Sequence, residues 1–224
     1  MNEIISPSFK PEFLMDSTAV GANFSKLTVK VFSGEYAAHP FIGFNKDNAN
    51  TLEGALSEAA FLTGVERNSD VVVLASYAPL FARMGYTQWS PDMIWFDGEK
   101  AYGTPSYHVQ SMYSNNLGDV TLDTNGEEKA AAKEGIYYSL SFDSSKNEVI
   151  IKIVNSNSEA VALDLELAAE WKDKNSYTMQ LLTGDDLNAH NCLANTDNIT
   201  VQKSEGTLAD GITLPANAFA VIRL

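Results

Sequence analysis

Hydrophobic and polar positions follow two different periods along this chain, and the change falls near residue 117. Upstream, strand-like and helix-like runs alternate. Leu27 to Ser33 (LTVKVFS) is apolar and β-branched and stops at Gly34-Glu35, which predicts a buried strand with a carboxylate at its C-terminal end. Asn50-Thr51-Leu52-Glu53 is a helix-start signature with an acidic first turn. Leu52, Ala55, Leu56, Ala59, Ala60 and Thr63 then recur at helical spacing, so residues 51–66 are predicted to form an amphipathic helix, broken by Asn68-Ser69-Asp70. Val71 to Ala75 is a short unbroken apolar run, as in a parallel strand covered on both faces. A long loop with Pro79, Gly85 and Pro91 follows. Thr104-Pro105 opens a second helix in which Val109, Met112 and Tyr113 share a face, up to about Asn116. Strand, helix, strand, loop and helix in this order is the rhythm of β/α units.

Downstream the period is two. Ile136, Tyr138, Leu140 and Phe142 fall on one face, and 149–154, 161–167, 177–181, 199–201, 212–214 and 219–221 repeat the pattern between polar turns. Many short strands with such turns predict an antiparallel β-sandwich. Residues 123–134 are charged and small and read as a solvated loop. The expected fold class is therefore α/β plus all-β, with a β/α segment over 1–116 and a β-sandwich over 117–224.

Composition narrows the function. The net charge of −14 disfavours nucleic acid as a partner, because an acidic surface repels phosphate backbones. Cys192 is the single cysteine, so no intrachain disulfide or cysteine metal site can form, and His39, His108 and His190 lack ligand spacing. No metal or other cofactor is expected. No run reaches the roughly 18 to 20 apolar residues of a membrane helix. Met1 to Ser6 has no basic or long apolar character, so no signal peptide is expected in this chain, and the compartment stays open.

Glu35 is the position that the pattern singles out as a candidate for chemistry. In β/α barrels the C-terminal strand ends face the active site. Val31-Phe32-Ser33-Gly34-Glu35-Tyr36-Ala37 resembles the strand of glycoside hydrolase family 51 α-L-arabinofuranosidases that ends in the catalytic nucleophile. Asn68 to Val72, Ala75 to Phe81, Trp89 to Ile94 and Tyr102 to Gln110 continue the resemblance in order, and Leu181 to Asn191 is similar to a late segment of the same family. The resemblance implies the last strands and helices of a (β/α)8 barrel followed by a sandwich. It implies a retaining glycosidase acting on terminal α-L-arabinofuranosyl residues of arabinose-containing oligo- or polysaccharides. Glu35 would be the nucleophile, with Tyr36, Trp89 and Asp92 as substrate-binding candidates.

The family's proton donor belongs to an Asn-Glu pair at an earlier strand end. Here the Asn-Glu pairs are Asn2-Glu3, at the start of the chain, and Asn147-Glu148, in a predicted hairpin, so the donor is expected to be absent. Asn2 to Ser6 occupies the place of an Asp-Glu-His-type segment, with Ile4 where the histidine is expected, and Lys10 to Leu14 fits the stretch that follows. A chain of this kind would be inactive alone and would need a missing N-terminal barrel half, or assembly into a homo-oligomer. The competing reading is a non-catalytic β-sandwich module that binds carbohydrate or protein; a carboxylate at a strand end is what such a module has no need for.

Overall fold

The computed structural model describes residues 30–39, 49–87 and 89–224. The expectations for Asn2 to Leu14, and for the first half of the run from Leu27, lie outside these residues. Strand β1 (Val31–Tyr36) pairs in parallel with β2 (Val72–Tyr77), and helix α1 (Leu52–Arg67) lies between them in the chain. The helix begins where the sequence signals it. Thr51 is extended and its hydroxyl accepts the Gly54 amide at 3.2 Å, satisfying one of the free donors of the first turn. At the other end Asn68 Nδ2 donates to the Gly64 carbonyl at 2.8 Å. Helix α2 (Pro105–Ser114) is capped in the same way by Thr104, with Pro105 at its first position.

The segment between β2 and α2 is more than a loop. It carries β3 (Phe81–Arg83), β4 (Ile94–Phe96) and β5 (Ala101–Gly103), hydrogen-bonded in that order. Strands of three residues leave no alternation long enough to stand out against a Pro- and Gly-punctuated background. A short strand, β6 (Val120–Thr121), follows.

The stretch 123–134 is also ordered, as β6 leads into helix α3 (Glu127–Lys133). Its acidic first turn and terminal lysine suit the helix dipole, and Ala132 is its one buried side chain. So small an apolar contribution explains why it reads as solvated.

Downstream, β7 (Ile136–Asp143), β8 (Glu148–Asn155), β10 (Ser176–Thr183), β11 (Gln202–Thr207) and β13 (Ala218–Arg223) join β6 in a six-stranded antiparallel sheet, ordered β11-β10-β13-β8-β7-β6. A second pair, β9 (Val161–Leu163) with β12 (Ile212–Leu214), is antiparallel. Leu165 and Leu167 pack on the same core beyond the end of β9. Ile199 is buried, but the strand read at 199–201 begins only at Gln202.

Both faces of the large sheet are covered, which accounts for the nearly unbroken apolar runs of β8 and β13. Val149, Ile151, Ile153, Ala220 and Ile222 share one core with Leu163 and Leu214. Ile150, Val154, Phe219 and Val221 share the other with Leu52, Ala59 and Val109 of the two long helices. Helix α1 thus packs on β7 and β8 while spanning the β1–β2 pair.

The other expectation for β2, cover on both faces, does not hold. Val73 and Leu74 are 57% and 56% exposed, as is Phe32 of β1 at 56%. Val73 and Leu74 are consecutive in the strand and so point to opposite faces, and neither is covered by the described residues.

Candidate functional site

Glu35 sits at a break in the β1–β2 ladder. Ser33 pairs with Ala75 and Tyr36 with Tyr77, so Gly34 and Glu35 together stand opposite Ser76 alone. An extra residue bulges a strand and re-aims its side chains. Glu35 is exposed, whereas Tyr36 beside it turns inward and is buried. The Tyr36 hydroxyl donates to Gln110 Oε1 of α2 at 2.6 Å, and its ring meets Tyr77 edge-on at 5.7 Å and Phe61 at 5.1 Å. The two tyrosines end the two strands side by side, and both are buried.

Behind them lies a buried polar cluster. Asn50 Nδ2 donates to the Tyr77 hydroxyl at 2.7 Å and to Ser106 Oγ at 3.1 Å. Glu58, on the buried side of α1, accepts the Ala38 amide at 2.9 Å. Burial pushes its carboxyl up to about 7, opposed by that amide and by the Ser106 and Tyr77 hydroxyls. Burial likewise holds the Tyr36 and Tyr77 hydroxyls above the ordinary tyrosine range, and negative charge on Glu58 adds to it.

The segment after Glu35 reaches the second candidate. The His39 ring lies edge-on to Trp89 at 5.3 Å. Trp89 is half-buried and held locally, its amide donating to Thr87 Oγ1 at 3.1 Å. Burial lowers the His39 pKa, so the ring is neutral against the indole at neutral pH. Asp92, three residues beyond Trp89, is only 1% exposed; its Oδ2 has no hydrogen-bond partner among the described residues, and burial raises its carboxyl to about 6. The structure therefore joins Trp89 to the chain that follows Glu35. It sets Asp92 deeper in the same loop.

The N-terminus of α1 is tied to the late segment Leu181 to Asn191. The Leu52 and Glu53 amides donate to the carbonyls of Ala189 and Leu187 at 2.9 and 3.0 Å. Asn191 Nδ2 donates to the Gly103 carbonyl just before α2 at 2.9 Å. A separate open groove lined by Glu148, Tyr177, Glu205 and Arg223 lies on the large sheet and includes none of the candidate residues.

The profile of the α-L-arabinofuranosidase C-terminal domain family matches residues 34–218, a span that opens one residue before Glu35. The chain belongs to this family. α-L-Arabinofuranosidase A of Aspergillus kawachii is 33% identical over 201 residues, covering 87% of this chain and 29% of the relative. α-L-Arabinofuranosidase 2 of Arabidopsis thaliana is 34% identical over 176 residues, covering 78% of this chain and 25% of the relative. A solved family 51 α-L-arabinofuranosidase with arabinose bound superposes with a TM-score of 0.78 at 30% identity, over 96% of this chain and 35% of that one. The chain thus spans 25% to 35% of the length of these relatives, and it corresponds to the C-terminal part of a family 51 arabinofuranosidase.

The polar cluster behind the tyrosines escaped the sequence reading. One signal was available for it. Glu58 falls three residues after Ala55 and four before Leu62, on the apolar stripe of α1, where a carboxylate breaks the pattern. Asn50 and Ser106 gave no comparable signal, since each is a neutral polar residue at a helix start, and neither did neutral Gln110 in the middle of α2.

Proposed function

We propose that this chain supplies the nucleophile-bearing part of a retaining α-L-arabinofuranosidase. In this reading residues 1–116 are the last strands and helices of a (β/α)8 barrel, and residues 117–224 are a β-sandwich domain. Glu35, ionised, attacks the anomeric carbon of a terminal α-L-arabinofuranosyl residue. The bond to the leaving oxygen breaks as a second carboxyl group protonates that oxygen. Water then releases the sugar from Glu35, with the second group taking back the proton. Tyr36 backs the nucleophile, and Trp89 and Asp92 border the sugar. The substrate class is arabinose-containing oligo- or polysaccharide.

The observation that carries this reading is the bulge that turns Glu35 outward at the end of a parallel strand while Tyr36 is locked inward beside it. A solvated surface glutamate needs neither feature.

The proton donor is proposed to lie outside this chain. It must stand about 5 Å from the nucleophile in a retaining enzyme. Glu148, the acidic member of the later Asn-Glu pair, is instead bound to Arg223 at 2.7 Å across the large sheet. Exposed Phe32, Val73 and Leu74 support the same view, as they leave apolar side chains of the β1–β2 pair to be covered by further barrel elements.

The test is hydrolysis of an aryl α-L-arabinofuranoside by the purified chain and by Glu35→Ala. No turnover is expected from either alone. Turnover is expected when the chain is co-produced with an N-terminal barrel portion of a family 51 relative, and it should vanish in Glu35→Ala. Turnover that survives Glu35→Ala would exclude Glu35 as nucleophile. Turnover by the wild-type chain alone, lost in the variant, would keep the nucleophile and overturn the external donor.

A further inference from the structure

Strand β1 stops at Tyr36, and the chain that leaves it no longer has a neighbouring strand to hold it. Ala38 is the first residue after Tyr36 to be secured from elsewhere. Its amide donates to Glu58 Oε1, a side chain from the middle of α1 that is only 3% exposed. A carboxylate is disfavoured at so buried a site unless hydrogen bonds recompense it, and packing alone would be served by the Ala and Leu residues that flank it on the stripe.

The rest of the cage is arranged around that carboxylate. Asn50 spends its amide hydrogens on the oxygens of Tyr77 and Ser106, which leaves the protons of both hydroxyls available to Glu58. Glu58 Oε2, Asn50 Oδ1 and Gln110 Nε2 are buried without a hydrogen-bond partner of good geometry among the described residues. The cage is therefore incompletely satisfied, a condition that structures tolerate where function requires it.

We propose that Glu58 is a positioning residue, whose carboxylate anchors the Ala38 amide and thereby fixes the strand end from which Glu35 projects. This rests on the reading of Glu35 as nucleophile. A reacting group misplaced by about 1 Å can lose on the order of 100-fold in rate, so an anchor three residues away has leverage. The groups that face Glu58 from packed elements are Tyr36 of β1, Tyr77 of β2 and Ser106 of α2, with neutral Asn50 beside them. No cationic side chain among the described residues favours its charge. The anchor consequently changes protonation near neutral pH. Ionised, it accepts the Ala38 amide with full charge; protonated, it does so as a neutral acid.

The test follows the backbone amides of Glu35 and Ala38 by NMR in the 15N-labelled 224-residue chain between pH 5 and 9. Both signals are expected to move together through one step near pH 7 in the wild type and to lose that step in Glu58→Gln. Glu58→Gln should keep Ala38 slow to exchange, because the glutamine carbonyl still accepts. Glu58→Ala should speed its exchange by about tenfold or more.

An Ala38 amide that does not titrate in the wild type would overturn the anchor. An Ala38 step with Glu35 unmoved would overturn the link to the nucleophile. If Glu58→Ala does not fold, the wild type and Glu58→Gln decide alone. None of these readouts needs turnover, so failure of the nucleophile reading, seen as activity surviving Glu35→Ala, is distinguishable from failure of the anchor.

Discussion

Glu66, in the last turn of α1, forms an ion pair with Lys152, in the middle of β8, and the lysine is fully buried. Lys152 is the one charged interruption in the apolar run of β8, and it points toward the helix. The Glu66 carboxylate takes the ammonium on one oxygen and the Ser139 hydroxyl on the other, and the Tyr113 ring lies 5.1 Å from the ammonium. Burial lowers the Lys152 pKa, and Glu66 opposes that shift. The pair fixes the helix that carries Glu58 to the large sheet.

Removing one partner should therefore cost far more than removing both. Glu66→Ala is expected to destabilise the chain by about 3–5 kcal/mol, because the ammonium is left buried without compensation. Glu66→Leu combined with Lys152→Met should return to within about 1 kcal/mol of wild type. Urea unfolding of Glu66→Ala, of Glu66→Leu and Lys152→Met singly, and of the double variant measures this. A double-variant loss equal to the sum of the Glu66→Leu and Lys152→Met losses would show that the pair carries no coupling.

Glu58 gives the fold a pH dependence of definite sign. Its folded pKa, about 7, lies above the ordinary carboxyl value of 4.5. The folded state thus holds this proton more tightly, and the associated stability is full below about 4.5 and is lost as pH rises through about 7. The shift corresponds to a loss on the order of 3 kcal/mol by pH 8. Denaturation at pH 5 and pH 8 should show this decline in the wild type, and Glu58→Gln should flatten it.

Asp143 sets the acid limb with the opposite sign. The Ser145 hydroxyl, then Arg223 and the Lys146 amide, hold its carboxyl down at about 2. Its stabilising effect is present above the unfolded carboxylate range and is lost as pH falls toward 2. Asp143→Asn should lower stability at pH 7, where the effect is fully present, and converge with the wild type toward pH 2, so that acid unfolding below pH 4, followed by circular dichroism, is less steep.

Much of this architecture was legible in the sequence, for identifiable reasons. Thr51 and Thr104 announce their helices because a capping hydroxyl needs only local chain geometry. The strands of the large sheet show through their alternation. The faces of β7 were harder to read. Ile136, Tyr138, Leu140 and Phe142 do share a face, but the opposite face, with Ser139 and Ser141, is the more deeply buried, because α1 brings Glu66 to it. Polar residues buried by a distant partner cannot be recognised from period alone. Glu35 was visible through its position after Gly34. The anchoring of Ala38 by Glu58 was not, since it joins residues 20 apart across two elements.

The exposed apolar side chains of β1 and β2 should behave as uncovered surface. Phe32, Val73 and Leu74 are each more than half exposed, and two parallel strands whose outer edges are unpaired among the described residues invite pairing with other chains. Val73→Lys is expected to reduce concentration-dependent light scattering while changing stability by no more than about 0.5 kcal/mol. A large loss of stability in this variant would mean that Val73 is already covered.

Tyr36 distinguishes a core contact from a sugar contact. Its hydroxyl is committed to Gln110 at 2.6 Å inside the core, so Tyr36→Phe leaves a buried acceptor unpaired and should cost about 1–3 kcal/mol. Pairing it with Gln110→Leu removes the orphaned amide as well and should recover part of that loss, because two apolar partners avoid the desolvation penalty that one polar group alone incurs. Thermal unfolding of the single and double variants reads the difference. If the hydroxyl served only to meet substrate, Tyr36→Phe would leave unfolding unchanged and Gln110→Leu would have no dependence on it. Coupling between the two would tie the residue beside Glu35 directly to α2.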